Sequence, residues 1–264
     1  MQQFIVDAFT DQVFKGNPAA VCLPDRPLTD ETMLNIAAEN KLSETAFLTE
    51  EAGGYRLRWF TPEAEIDLCG HATLATAFVV LTILTPDKDE VAFQTQSGTL
   101  TVRREDGFFW MDFPAYDLTE VPVTDQMAEA LGVRPTKAYL GRDLLCRLDR
   151  EEEVHDLTPD QDKLADLDGL LVHVTARGED YDMVSRSFGP KIGIAEDPVC
   201  GSGHCHIFPY WAGALDKTAL KGYQASARGG EIDGRLVGDR VQLGGQAALF
   251  SRSDIFLPDD ERDE

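Results

Sequence analysis

The sequence predicts an α/β protein, α+β in its layout, made of two similar barrel-like domains. Each is a curved, mostly antiparallel sheet around one central buried helix. Three observations predict this. The coarse pattern is short strands with occasional helices, the strands being runs rich in β-branched and aromatic side chains bounded by Gly, Asn, Pro or acidic turns. Two stretches, Ala72–Leu84 and Cys205–Leu215, read as helices without one Asp, Glu, Lys or Arg. A helix apolar on all faces is expected to be buried on all faces. These helices also stand in matching contexts. Arg58-Trp59-Phe60-Thr61-Pro62 is echoed by Arg186-Ser187-Phe188-Gly189-Pro190, and each is followed by a loop and then Cys-Gly, at Cys69-Gly70 and Cys200-Gly201. The same order of strand, loop, Cys-Gly and uncharged helix points to duplication.

Taken in order, Gln3–Phe9 and Ala19–Leu23 read as strands, and Thr29–Lys41 as a helix with Thr29 as N-cap and acids in its first turn. Glu44–Thr49 and Tyr55–Phe60 are strands before the first uncharged helix. Glu90–Gln94, Thr99–Arg104 and Phe108–Asp112 form a meander with turns at Ser97-Gly98 and Asp106-Gly107. Pro114 and Pro122 bracket an expected linker, giving domains 1–115 and 116–264, with the last strand free to return to the first. In the second half, Thr124–Leu131 reads as a short helix, followed by strands Ala138–Leu140 and Leu144–Asp149. An acidic loop, a helix Thr158–Leu164, and strands Gly169–Thr175 and Tyr181–Ser187 lead to the second uncharged helix. Strands near Tyr223–Ala227, Arg240–Leu243 and Ala247–Ser251 close the pattern, and the acidic run Asp259–Glu264 reads as a solvated end.

Charge bounds the partners. With 24 basic and 47 acidic side chains the net charge is −23, and no Lys/Arg cluster offsets it. Nucleic acid and anionic membrane surfaces are therefore not expected as partners. Met1-Gln2-Gln3-Phe4 lacks the basic stretch of a secretory leader, and the apolar run His71–Leu84 is shorter than the ~20 residues a spanning helix needs. The five cysteines, at 22, 69, 146, 200 and 205, contain no C-x-x-C pair, so a cytoplasmic location with free thiols is expected. Cys22 and Cys146 lie in strand-like apolar runs and read as core thiols.

Chemistry is expected at the two Cys-Gly loops. A helix opening there would turn free backbone N–H groups and a positive dipole end outward, and the glycines at 70, 201 and 203 would let a ligand approach closely. Such ends suit a small carboxylate and would lower the pKa of a nearby thiol. Glu44, in Leu42-Ser43-Glu44-Thr45-Ala46-Phe47, reads on composition alone as a surface glutamate, and Glu65, Asp67, Glu196 and Asp197 as solvated loop acids. Cys200, His204, Cys205 and His206 are spaced C-x3-H-C-H, which fits no zinc pattern, so no metal is expected.

Longer motifs carry a resemblance across essentially the whole chain. They are Asp7-Ala8-Phe9-Thr10 with Gly16-Asn17-Pro18-Ala19, the segment Leu42–Phe47, and Phe60-Thr61-Pro62 with Cys69-Gly70-His71-Ala72-Thr73. Glu196-Asp197-Pro198-Val199-Cys200-Gly201-Ser202-Gly203-His204 and Ser226-Ala227-Arg228-Gly229-Gly230-Glu231 complete them. Together they resemble the PhzF-like family of phenazine biosynthesis, of the diaminopimelate epimerase-like fold. The resemblance implies an isomerase without cofactor, commonly a homodimer, that acts on a small carboxylate between its two domains. It makes Glu44 the proton-transfer residue, with His71, Asp197 and Ser202 as its partners, and it places Asn17, Gly70, Ala72, Gly201 and Gly203 against substrate. One departure matters. The family usually has Thr where this chain has Cys200, and Cys69 with Cys200 is similar to the thiol pair of amino-acid epimerases sharing the fold. Two acid–base pairs are thus compatible with the sequence: Glu44, or Cys69 with Cys200. A non-catalytic protein that keeps the pocket for a metabolite or partner is the third reading.

Overall fold

The computed structural model describes residues 1–51 and 53–257; the acidic end at 259–264 lies outside the described residues. The chain divides into two compact units, one of Met1–Met111 with the C-terminal stretch from Gly245, the other of Asp112–Gly244. The second unit spans Asp112–Gly244, where the sequence suggested 116–264 with the last strand free to return to the first domain. Among the described residues no helix is long and apolar enough to cross a membrane.

In the first unit the strands are β1 (Gln2–Ala8), β2 (Asn17–Leu23), β3 (Glu44–Glu51), β4 (Gly54–Phe60), β5 (Glu65–Ile66), β6 (Glu90–Thr95), β7 (Gly98–Glu105) and the start of β8 (Phe108–Pro114). Helix α1 (Asp30–Asn40) is N-capped by Thr29, whose hydroxyl accepts from the Thr32 N–H at 3.1 Å. Helix α2 (Gly70–Val79) runs on into a π turn over Val80–Leu84. In the second unit lie β9 (Thr119–Val121), α3 (Asp125–Leu131), β10 (Lys137–Leu140), β11 (Leu144–Arg147), α4 (Glu151–His155) and α5 (Gln161–Ala165). They are followed by β12 (Val172–Arg177), β13 (Met183–Gly189), β14 (Ile194–Asp197), α6 (Gly201–Leu215), β15 (Ala219–Gln224), β16 (Gly230–Val237) and β17 (Arg240–Gly245). The last strand, β18 (Ala247–Asp254), pairs antiparallel with β1 and so belongs to the first unit.

The pairings repeat strand for strand. β1 pairs antiparallel with β2, β2 parallel with β3, β3 antiparallel with β4, and β4 parallel with β6, which continues antiparallel to β7 and β8. In the second unit β10 pairs antiparallel with β11, β11 parallel with β12, β12 antiparallel with β13, and β13 parallel with β15, continuing antiparallel to β16 and β17. β18 flanks β1 as β9 flanks β10. β5 and β14 are matching short strands that turn back on β4 and β13 just before each helix.

Helix α2 packs against β1, β2, β3 and β18, and all its residues but Gly70 and Phe78 are buried. Helix α6 is buried from Gly201 through Phe208, Ser202 excepted, but its last turn emerges, with Gly213 and Ala214 exposed. Burial on all faces thus fails at the end of both stretches, since Thr82 and Ile83 are partly exposed and Leu84 is exposed after α2, just as the last turn of α6 is. Small residues without charge can lie on either side of the surface.

Other expectations need correction. The proline-bracketed linker contains β9, which completes an edge beside β10. The acidic loop contains α4, because Glu151, Glu152 and Glu153 fill its first turn, where the helix dipole favours negative charge. Strand β16 escaped notice because Gly230 and Gly234 occupy inward positions where larger apolar residues usually mark a strand. The helices begin at Gly70 and Gly201, earlier than expected, since glycine's weak helix propensity hides a first turn that tertiary packing holds.

Candidate active site

In the first unit the site is built where β3 and α2 begin. Glu44 is the first residue of β3 and pairs across with Ala19 of β2. It is 7% exposed, not the surface glutamate composition suggests. His71, in the first turn of α2, turns its ring onto it, with Nε2 at 3.0 Å from Glu44 Oε2. The two atoms are close but poorly aligned for a hydrogen bond, and among the described residues neither has another hydrogen-bond partner. On the other side of the ring, Nδ1 is 3.6 Å from Cys69 Sγ. Burial alone would lower the His71 pKa, but Cys69 and the Glu44 charge outweigh it and raise it well above the ordinary histidine value.

Cys69 is the N-cap of α2 and makes no side-chain capping bond. Its thiol is raised by burial first and by the Glu44 charge next, with His71 pulling the other way. The expected lowering by the helix end does not occur, because desolvation of a buried thiolate outweighs a partial dipole. Ala72 is fully buried, and its carbonyl accepts from the Thr76 hydroxyl at 2.7 Å. Asn17 is fully buried at the start of β2, opposite Ala8. Gly16 before it holds φ +62°, and a Cβ there would lie 2.1 Å from the Ala8 carbonyl oxygen, so the turn into β2 requires glycine.

In the second unit Asp197, Cys200 and Ser202 gather at the start of α6. The loop between β14 and α6 is clamped by buried Gln224, whose Nε2 donates to the Asp197 carbonyl at 2.6 Å and whose Oε1 accepts from the Cys200 N–H at 2.9 Å. Ser226 donates to the Pro198 carbonyl at 2.8 Å. Cys200 Sγ caps the helix by accepting from the Gly203 N–H at 3.3 Å and lies 3.5 Å from Ser202 Oγ. Burial, then the Asp197 charge, raises its pKa well above the ordinary thiol value. The Gly203 amide is taken by Cys200, and a Cβ there would lie 2.6 Å from His173 Cε1. Its smallness lets α6 approach the His173 ring.

Sequence reasoning missed a group behind this helix start. Asp143, fully buried, accepts from His173 Nε2 at 3.1 Å and is gripped by Arg142 at 3.1 and 2.7 Å. Its own N–H donates to His206 Nε2 at 3.3 Å. His204 donates from Nδ1 to the Cys200 carbonyl at 2.7 Å, and burial lowers both His204 and His206 to about 4, so both are neutral. In sequence, Gly141-Arg142-Asp143 reads only as a charged turn between two strands, which is the sole available signal.

Among the described residues, two sets of side chains bring ligand atoms close enough for a metal: Glu44, Cys69 and His71, and Asp143, His173 and His206. The second set is committed elsewhere. His173 Nδ1 meets Ser187 Oγ, His206 Nδ1 meets the Ser202 carbonyl, and the Asp143 oxygens meet Arg142 and His173. The first set retains unpartnered oxygen and nitrogen atoms and is the one whose chemistry is open.

Comparison with known proteins shows the family and the fold. Residues 6–253 match a family described as phenazine biosynthesis-like protein. A Pseudomonas aeruginosa protein named as an uncharacterized isomerase is 47% identical over 96% of this chain and 98% of its own length. The crystal structure of a phenazine biosynthesis PhzF-family protein of Enterococcus faecalis superposes with a TM-score of 0.95, at 48% identity over 97% of this chain and 99% of that one. A predicted epimerase of P. aeruginosa shares the fold, with a TM-score of 0.74 at 20% identity over 97% of this chain and 99% of that one.

Proposed function

The chain belongs to the phenazine biosynthesis-like family, with relatives named isomerases and the two-domain epimerase-like fold, and from that premise we propose a cofactor-independent isomerase that moves a proton at carbon in a small carboxylate. One observation carries the reading: the buried Glu44 Oε2 facing His71 Nε2 at 3.0 Å, with no other hydrogen-bond partner on either atom among the described residues.

That arrangement suits a single acid–base residue. Glu44 takes a proton from a substrate carbon and returns it to another carbon on the same face. The imidazolium of His71 holds positive charge beside it while the substrate carries the electron pair as a delocalised anion. In this reading the positive end of α2, with its first-turn amides, draws the anionic substrate toward Glu44.

A second reading, a two-thiol epimerase using Cys69 and Cys200, is favoured by one contact, Cys69 Sγ at 3.6 Å from His71 Nδ1, through which the imidazole could take the thiol proton. Incubation in D₂O with small carboxylates and amino acids, followed by NMR, separates the two. Deuterium entering a carboxylate in a reaction lost in Glu44→Gln and kept in Cys200→Thr supports the first reading. Inversion at an amino-acid α-carbon that persists in Glu44→Gln and dies in Cys200→Thr replaces it with the second.

A further inference from the structure

Arg142 sits in the turn between β10 and β11 with its guanidinium fixed from two sides. Nε and Nη2 form a fork on Asp143, at 3.1 and 2.7 Å. Cζ lies 5.2 Å over the Tyr116 ring, which stacks on His206 with centroids 4.3 Å apart and planes at 15°. Behind it the Asp143 side chain has no exposed surface and is held by His173 Nε2 at 3.1 Å and the Leu171 N–H at 3.3 Å.

Such a support is costly. An ionised carboxylate loses several kcal/mol of hydration on full burial, and only good hydrogen bonds offset the loss. Arg142 itself needs no such partner, because its side chain is 35% exposed and water could solvate it. What the support achieves is direction. The inner edge of the guanidinium is committed to Asp143, and the outer edge, Nη1 with Nη2, points at the start of α6. There, among the described residues, it meets neutral hydroxyls, Tyr116 at 3.4 Å and Ser202 at 3.1 Å. Two parallel N–H groups on one edge match the two oxygens of a carboxylate, which outcompetes hydroxyls for a cation. In a chain of net charge −23, a fixed cation is also the direct means of attracting an anion.

We propose that Arg142 is the carboxylate-recognition residue of the second unit. It takes a small carboxylate on its Nη1–Nη2 edge, with Ser202 Oγ donating beside it, and Asp143 and Tyr116 act only to hold it. The substrate class rests on the isomerase reading above; the anion site itself does not depend on Glu44.

The test uses benzoate as the probe and benzamide as its neutral counterpart, titrated calorimetrically into the intact protein. Wild type should prefer benzoate by about tenfold or more, the usual worth of a hydrogen bond to a charged group. Arg142→Gln should lose that preference, Arg142→Lys should keep part of it, and Glu44→Gln should leave it unchanged. Because Arg142→Gln strands Asp143 and could misfold, wild type is also treated with phenylglyoxal and mapped by mass spectrometry. Benzoate, and not benzamide, should slow modification of Arg142 while leaving exposed Arg103 unaffected. No preference in wild type, full preference in a folded Arg142→Gln, or unprotected Arg142 each overturns the proposal. Deuterium exchange persisting in Glu44→Gln removes the isomerase mechanism and leaves the anion site standing.

Discussion

Arg58 grips Glu65 by both carboxylate oxygens, with Nε and Nη2 each at 2.6 Å. Arg186 does the same to Glu196, at 2.7 and 2.8 Å. Each arginine also lies over the phenylalanine two residues on, Phe60 at 5.1 Å and Phe188 at 5.2 Å. Glu65 and Glu196 are therefore not solvated loop acids. Each stands four residues before the cysteine that begins a buried helix, so each fork sets the path of a site loop. The echo of Arg-x-Phe-x-Pro is an echo of this clamp.

The clamps should differ in weight. Arg186 also donates to the Leu157 carbonyl at 2.6 Å and the Val154 carbonyl at 3.3 Å, whereas Arg58 has only a further acid, Asp30, at 2.9 Å. Glu65→Gln and Glu196→Gln should each cost about 1–3 kcal/mol, since one ionic partner is lost from a partly buried pair. Arg186→Met should cost more than Arg58→Met, because it also leaves buried carbonyls without a donor. Urea melts of the four variants check the order.

The mechanism predicts an asymmetric pair of variants. Glu44→Gln keeps shape but cannot carry the proton, so turnover should fall about 10²–10⁴-fold. Cys200→Thr should lose only a few-fold, because a threonine hydroxyl can take the same Gly203 N–H that Cys200 Sγ now accepts. Initial rates on one accepted substrate decide it.

Stability should depend on pH through His71. Its pKa is raised by folding, so its contribution is complete below the unfolded value near 6.5 and is lost as pH rises through the higher folded value. Asp143 acts in the opposite direction. Burial would raise it, but the hydrogen bonds from His173 and Arg142 lower it overall, so its contribution is lost as pH falls below the ordinary carboxylate range. Denaturant midpoints measured across pH should fall at both ends, and His71→Gln should flatten the alkaline fall alone.

Two packing variants test the buried helices. Ala75→Asp places an unpaired charge at a fully buried position of α2 and should cost more than about 3 kcal/mol or prevent folding. Gly203→Ala brings a methyl against the His173 ring, where overpacking costs about 1–3 kcal/mol. Thermal melts of the purified variants give both numbers.

All five cysteines are free and buried, and burial pushes Cys22, Cys146 and Cys205 up to about 12. A thiol reagent should therefore react slowly with the native protein at pH 7 and count five thiols once it is denatured without reductant. Fast native labelling of Cys69 or Cys200 would show that one of them is held as a thiolate, and would favour the two-thiol reading.

The sequence by itself determined the local rules of this protein. Charge-free helices, β-rich runs and the echoed Arg-x-Phe-x-Pro and Cys-Gly segments specify two alike α/β units, because hydrophobic period and composition are properties of neighbouring residues. Thr29 caps its helix as read, since a cap needs only the next three residues. Glu44, His71, Cys69, Cys200 and Ser202 were legible because they sit in short motifs. Tertiary structure alone decided what those groups are. Glu44 is buried because β3 lies against β2 and α2, and no property of its flanking residues states that. The thiols rise because desolvation is a sum over distant neighbours. Arg142 and Asp143 reach the start of α6 from 60 residues away through a sheet pairing, and Gly203 is small for a histidine on another strand. Contacts between residues far apart in the chain leave no period and no motif, so the support of the site became visible only when the chain was folded.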